Sequence, residues 1–334
     1  MLKLDFKENN FNLYKKLGRI IIKKGKYVLW QPMMTNMIYA LIPIAAASIY
    51  FFGWKSLLVI ALVTAAGFAT EYIFTKIYNQ KVSSAVFVTC LLFALSLPPT
   101  LPVWMAIVGI VFGVTFGKMV FGGFGRNVFN PALVGRAFIY VSFPNHMNSY
   151  WADSFSGFPA GLERYASDAV TQATPMTMMK EGTLVPLKNL ILGATGGSLG
   201  ETCALLIFLG GLYILWKKSA DYRYVVSGAV GFLLTQLIVW AAGAENALHP
   251  VYAIFSGSYL FGLFFFITEP VSGAQTKTGK WIYGFLYGFL VVIIRTFSVW
   301  REGTMFAVLL CNVFAPIMDY AIRNYKKKKK QKTA

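Results

Sequence analysis

Apolar runs of about 20 residues, long enough for a helix to cross the hydrocarbon of a bilayer, recur from Gln31 to the C-terminal tail. Nothing else in the chain restricts its fold as strongly. Backbone inside lipid must satisfy its own N–H and C=O groups, which leaves bundled helices or a closed barrel, and uninterrupted runs of this length read as helices. Ten spans are expected, at 32–53, 55–77, 83–97, 101–117, 128–143, 190–216, 224–243, 249–268, 280–298 and 303–322. The predicted class is an all-α polytopic membrane protein. With 57% hydrophobic and 13% charged residues, the composition lies outside the range of soluble domains.

A net charge of +18 invites comparison with nucleic-acid binders, but the basic residues sit where membrane topology puts them. Eight precede the first span, from Lys3 to Lys26, and seven follow the last, Arg323 and the 326–332 cluster. The loops after the even-numbered spans carry Lys76, Lys81, Lys118, Arg126, Lys217, Lys218, Arg223, Lys277 and Lys280. Both termini are therefore expected in the cytoplasm, and no nucleic-acid partner is expected. The lysine run at 326–330 reads as a topology signal that also touches anionic lipid. The first 30 residues are polar and basic, so no cleavable signal is expected and the chain is expected in a bacterial inner membrane. The segments are a basic N-terminal stretch at 1–31, a five-helix half at 32–143, an external loop at 144–189, a second half at 190–322 and a polybasic tail at 323–334.

Two motifs repeat. Gly109-Ile110-Val111-Phe112-Gly113 matches Gly284-Phe285-Leu286-Tyr287-Gly288, and Asn127-Val128-Phe129-Asn130-Pro131 matches Asn312-Val313-Phe314-Ala315-Pro316. Pro99 precedes the first pair much as Pro270 precedes the second. Five spans per repeat put the halves in opposite orientations about an axis in the membrane plane. Chance matching of common Gly and Phe residues is the competing account. The proline-containing breaks also free carbonyls that lipid cannot satisfy, so each needs a protein- or water-lined environment.

Cys90, Cys203 and Cys311 lie in apolar stretches without paired spacing, and His146 and His249 are the two histidines. Neither a metal site nor a cysteine-held cluster is expected. The 144–189 loop is long and aromatic, which marks it as functional. In it, Asp168-Ala169-Val170-Thr171-Gln172-Ala173-Thr174-Pro175-Met176-Thr177 reads locally as a helix start, with Thr174 as N-cap and Pro175 at the first helical position. That reading leaves a further role for Thr174 open.

The pattern Asp-x-x-Thr-x-Ala-Thr resembles the flavin-attachment signature shared by the D subunit of the Rnf complex and the B subunit of the sodium-pumping NADH:quinone reductase. Two further blocks extend the likeness, Gly117-Lys118 with Phe121 to Arg136, and Gly196-Gly197-Ser198-Leu199-Gly200-Glu201-Thr202; with Thr268-Glu269-Pro270-Val271 it covers nearly the whole chain. The resemblance implies FMN joined to Thr174 as a phosphodiester by a flavinyltransferase, with Asp168, Thr171 and Ala173 as matching motif residues; Gln172 stands where glycine is common. It implies a second, non-covalent flavin, riboflavin, with Asn127 and Asn130 at ring-binding positions and Glu269 where Asp is more usual; satisfying the polar groups of a broken helix is the competing role. The length without a long N-terminal extension resembles the Rnf subunit more. The implied function is a membrane electron-transfer subunit that couples ferredoxin/NAD redox chemistry to Na⁺ or H⁺ movement. It has no catalytic residue of its own, works with the other subunits including a second flavinylated one, and is inactive alone.

Glu71, Glu201 and Asp319 fall within apolar stretches and are candidates for an ion pathway, with Arg136 and Arg295 as possible counter-charges. Ordinary ion pairing is the alternative for each. The competing functional classes are a secondary transporter or channel without redox chemistry, and a purely structural membrane anchor.

Overall fold

A computed structural model describes residues 23–24, 28–148, 151–155, 157–166, 174–298 and 303–333. Among the described residues, five helices are long and apolar enough to cross a membrane: α1 (Pro32–Phe52), α2 (Trp54–Ile77), α10 (Tyr222–Ala241), α13 (Lys277–Phe297) and most of α14 (Gly303–Thr333). Shorter apolar helices fill in between, namely α3 (Ala85–Leu95), α4 (Val103–Val114), α5 (Pro131–Ser142) and α9 (Ala204–Trp216). The outer faces of the long helices expose Ile42, Ile73, Leu237, Ile238 and Ile317, side chains that lipid accepts and water does not. The chain is a polytopic all-α membrane protein. The described strands, β1 (Lys23–Lys24), β2 (Val28–Trp30) and β3 (Val82–Ser83), form one small patch that ties the entrance of α1 to the exit of α2.

Two expected spans are interrupted. The run at 190–216 divides into α8 (Leu187–Leu192), a polar loop and α9. The run at 249–268 divides into α11 (Pro250–Phe255), a break at Ser256 to Ser258, α12 (Tyr259–Phe261) and a widened π turn at Gly262–Phe266. Hydropathy sees neither break, because the interrupting residues are small and the flanks are apolar. A second π turn, Thr115–Met119, ends α4. Helix α14 continues past the expected span into the polybasic tail.

Interrupted helices leave carbonyls without donors, and the bundle supplies them internally. Beyond α3, Leu199 N–H donates to Leu97 O at 3.0 Å and Gly200 N–H to Leu95 O at 2.7 Å. A side chain on Gly200 would put its Cβ 2.6 Å from the Leu95 Cβ, so this approach requires glycine. At the other break, buried Arg295 donates from Nη1 to Ala253 O at 3.3 Å and Ser256 O at 3.2 Å.

The two halves pack alike. Helix α4 lies against α2 and α5, and α13 lies against α10 and α14. The repeated glycines serve helix contact in both, with different neighbours: a Cβ on Gly113 would meet Pro131 O at 2.5 Å, and one on Gly288 would meet Gly228 O at 2.3 Å. Replacing Gly288 by Ala should force α13 away from α10. A destabilisation of about 1–3 kcal/mol is expected, read as a lower Tm of the purified protein.

The Asn-x-x-x-Pro copies diverge for a local reason. Asn130 caps α5, its Oδ1 accepting from Ala132 N–H at 3.0 Å with Pro131 in the first turn. In the second copy Ala315 holds the capping position and has no acceptor to offer, and α14 runs straight through Pro316. The copies meet, with Asn130 N–H donating to Asn312 Oδ1 at 3.0 Å.

Candidate functional site

Thr174 stands at the start of α7 (Pro175–Lys180), at the end of the bundle opposite the basic loops. The earlier part of the 144–189 loop is tied to the turn between α1 and α2 by backbone bonds from Trp54 to Arg164 O and from Phe155 to Phe51 O. The local reading holds: Thr174 is extended, Pro175 takes the first turn, and Thr177 N–H donates to Thr174 Oγ1 at 3.4 Å. The two threonine hydroxyls are 3.0 Å apart. Thr174 is partly exposed, whereas Pro175, Met176 and Met179 are buried and anchor the helix. Asp168, Thr171 and Ala173 lie outside the described residues.

A narrow cleft of about 40 Å³ opens beside Thr174. Its walls come from three places in the sequence: Trp151 from the loop, Gly196, Gly197, Ser198 and Thr202 from the glycine-rich block, and Phe255 with Gly257 from the broken helix. The glycine-rich block, distant in sequence from Thr174, thus faces it in space. Lys180, at the far end of α7, donates to Arg295 O at 2.6 Å, fastening the helix to the end of α13.

A second cluster forms at the other end of the bundle. Asn127 Nδ2 donates to Phe129 O at 3.1 Å and approaches Glu269 Oε1 at 3.4 Å. Ser272 donates its hydroxyl to Glu269 Oε2. Asn312 joins Asn130 to this group, and its Nδ2 donates to Tyr283 Oη at 2.7 Å and Ser272 O at 3.3 Å. Asn130 Nδ2 is buried with no hydrogen-bond partner among the described residues. Such a donor is costly to leave unused, and it suits an acceptor on a bound molecule. The three predicted residues Asn127, Asn130 and Glu269 therefore do converge. Asn312, which sequence reasoning used only as a repeat marker, completes the set.

The candidate ion-pathway acids have three different surroundings. Glu71 pairs with Lys118 at 2.6 Å, both side chains 2% exposed, and also accepts from Ser83 N–H at 3.0 Å. Lys118 had the look of a loop charge; the π turn at the end of α4 carries it inward. Glu201 lies 3.8 Å from Arg136, as a counter-charge reading expects. Asp319 is a loop cap, accepting from Gln275 N–H at 2.6 Å, Thr276 N–H at 2.9 Å and the Thr276 hydroxyl at 2.7 Å. Arg295, the other suggested counter-charge, is directed at carbonyls of the broken helix.

Against known proteins, the NQR2, RnfD, RnfE family model matches residues 26–328. Among curated proteins, the B subunit of the Na(+)-translocating NADH-quinone reductase of Klebsiella pneumoniae subsp. pneumoniae is 38% identical over 272 residues, covering 78% of this chain and 65% of the relative. The corresponding B subunit from Ectopseudomonas mendocina is 38% identical over 263 residues, 75% of this chain and 63% of the relative. That of Yersinia pestis is 36% identical over 280 residues, 80% of this chain and 67% of the relative. The chain thus spans a little under two thirds of the length of the first two.

Proposed function

From its membership of the NQR2, RnfD, RnfE family, to which this chain belongs, we propose a membrane electron-transfer subunit that carries FMN as a phosphodiester on Thr174 within an ion-translocating oxidoreductase complex. The observation that supports it is the placement of Thr174, a partly exposed hydroxyl at the rim of a cleft walled by the glycine-rich block. The 40 Å³ beside it takes a few waters and not a flavin ring. The ring of an esterified flavin therefore lies outside this cleft, within reach of a partner subunit.

Bound FMN supplies the one- and two-electron chemistry that amino-acid side chains lack. The chain contributes position: Thr174 is the anchor, buried Pro175, Met176 and Met179 hold its helix, and Lys180 ties that helix to α13. We assign a second, non-covalent flavin, riboflavin, to the Asn127, Asn130 and Glu269 cluster; the unused Asn130 amide, which offers a donor, supports that reading. The basic loops and the Thr174 segment occupy opposite ends of the bundle, which supports cytoplasmic termini in a bacterial inner membrane and a flavin on the outer side. Maturation requires a flavinyltransferase, and turnover requires the other subunits, one of them also flavinylated.

The names of the relatives favour the B subunit of a sodium-pumping NADH:quinone reductase over the D subunit of an Rnf complex. The assembled complex decides between them: NADH-driven quinone reduction is expected for the first, ferredoxin-linked NAD reduction for the second. For the attachment itself, protein coexpressed with the transferase should weigh its polypeptide plus FMN less one water, and its denatured band should fluoresce. A dark band at the bare polypeptide mass would favour a permease without redox function.

A further inference from the structure

Where α10 and α13 meet along their glycines, the outward side chains splay apart. Ser227, Val230, Trp281, Ile282, Phe285 and Leu286 line an open groove of about 460 Å³ on the lipid-facing surface. Val230, Trp281, Ile282 and Phe285 are each at least 41% exposed. At the groove's end, where both helices begin, the Tyr222 and Trp281 rings meet edge to face at 6.5 Å, the kind of aromatic pair found at headgroup depth. The Arg223 guanidinium lies 4.9 Å from the Tyr222 ring centroid.

Just beyond lies a hollow of about 500 Å³, with Lys218, Asp221, Arg223, Gln275 and Lys280 among its lining residues. Asp221 pairs with Arg223 at 3.0 Å and Lys280 at 2.9 Å. Burial pushes the Asp221 carboxyl up, but the Lys280 hydrogen bond and the Arg223 backbone amide outweigh it and hold the group below its ordinary value. It therefore stays ionised and offsets one cation. Lys217 and Lys277 are exposed near the same helix ends. Five cations against two carboxylates, Asp221 and the Asp319 that caps Gln275 and Thr276, leave an excess of three positive charges at the head of an apolar groove.

We propose that the α10–α13 groove binds one anionic phospholipid, its acyl chain along Val230, Ile282 and Phe285 and its phosphate among Lys218, Arg223 and Lys280. Charge decides the class of occupant. A zwitterionic headgroup brings no net charge to balance the excess, whereas each basic residue near a membrane surface is worth about 1 kcal/mol toward anionic lipid. The groove's apolar lining and aromatic rim match the rest of a lipid. The inference is independent of whether Thr174 carries a flavin.

Bromine on an acyl chain quenches a nearby indole, and Trp281 reports on the groove. Full-length protein is titrated in detergent with dibromo-phosphatidylglycerol or dibromo-phosphatidylcholine, and the Trp281 contribution is taken as the difference from Trp281→Phe. Half-quenching by the anionic lipid is expected at a concentration about fivefold lower than by the zwitterionic one, the factor that about 1 kcal/mol represents. The preference should vanish in Arg223→Gln/Lys280→Gln. Because that pair also strips Asp221 of its partners, Lys218→Gln/Lys277→Gln is the companion variant, which leaves the Asp221 pairs intact and should narrow the preference. Equal quenching by both lipids overturns the proposal, as does a preference unchanged in both variants. Trp281 quenched in the isolated chain but shielded from both lipids in the assembled complex also overturns it and assigns the groove to a neighbouring subunit.

Discussion

Thr174→Ala, coexpressed with the flavinyltransferase, is expected to carry no covalent flavin and to abolish electron transfer through the assembled complex. The difficulty is that Thr174 also caps a helix, so loss of function alone would not separate an anchor from a structural residue. Size separates them. The cap bond is long at 3.4 Å and serves a helix of six residues, so its loss costs about 1 kcal/mol and should leave the Tm nearly unchanged. Thr174→Asn sharpens the test, because asparagine caps as well as threonine but offers no hydroxyl to esterify. Both variants should fold, assemble and remain dark in a denaturing gel. Thr177→Ala is the remaining control, since its hydroxyl lies 3.0 Å from that of Thr174 and is a competing acceptor. It should keep the fluorescence and the added mass; a label that survives in Thr174→Ala and disappears in Thr177→Ala would move the attachment point.

A second large effect is expected at the Glu71–Lys118 pair. Both side chains are 2% exposed, and Glu71 has Lys118 and the Ser83 amide as partners. Lys118→Met removes the cation and leaves a carboxylate in a low-dielectric interior, a change that costs about 3–5 kcal/mol when a buried pair loses one member. The double variant Glu71→Gln/Lys118→Met removes both charges and should recover most of that loss. Thermal unfolding of the wild type, Glu71→Gln, Lys118→Met and the double variant gives the coupling directly. Equal destabilisation by the single and double variants would mean that packing of the lysine stem, rather than the ion pair, holds this corner. If Glu71 also takes part in ion movement, the double variant regains stability without regaining ion transport. That contrast distinguishes a structural pair from a working one.

Much of the site was legible from residues that state their own local physics. Thr174 before Pro175 announces a capped helix start, and the structure has it. Asn130 before Pro131 does the same, while Ala315 before Pro316 cannot, so one repeat begins a helix where the other passes through. The paired Gly motifs mark a repeat in the sequence, and the structure alone shows that they serve close helix contact, with α5 in one half and with α10 in the other. Lys118 reads as a loop charge in the sequence, but a π turn, invisible to hydropathy, carries it inward to Glu71.

The sequence by itself determined the membrane class, the approximate positions of the helices and the alternation of basic loops, because hydrocarbon thickness and the cost of a bare peptide group act residue by residue along the chain. Tertiary structure alone decided where the broken helices find their missing donors, in the amides of Leu199 and Gly200 and in the guanidinium of Arg295. It also brought the glycine-rich block to Thr174 and Asn312 to Asn130. These contacts join residues far apart in the chain, and their energy depends on mutual geometry that no local pattern encodes.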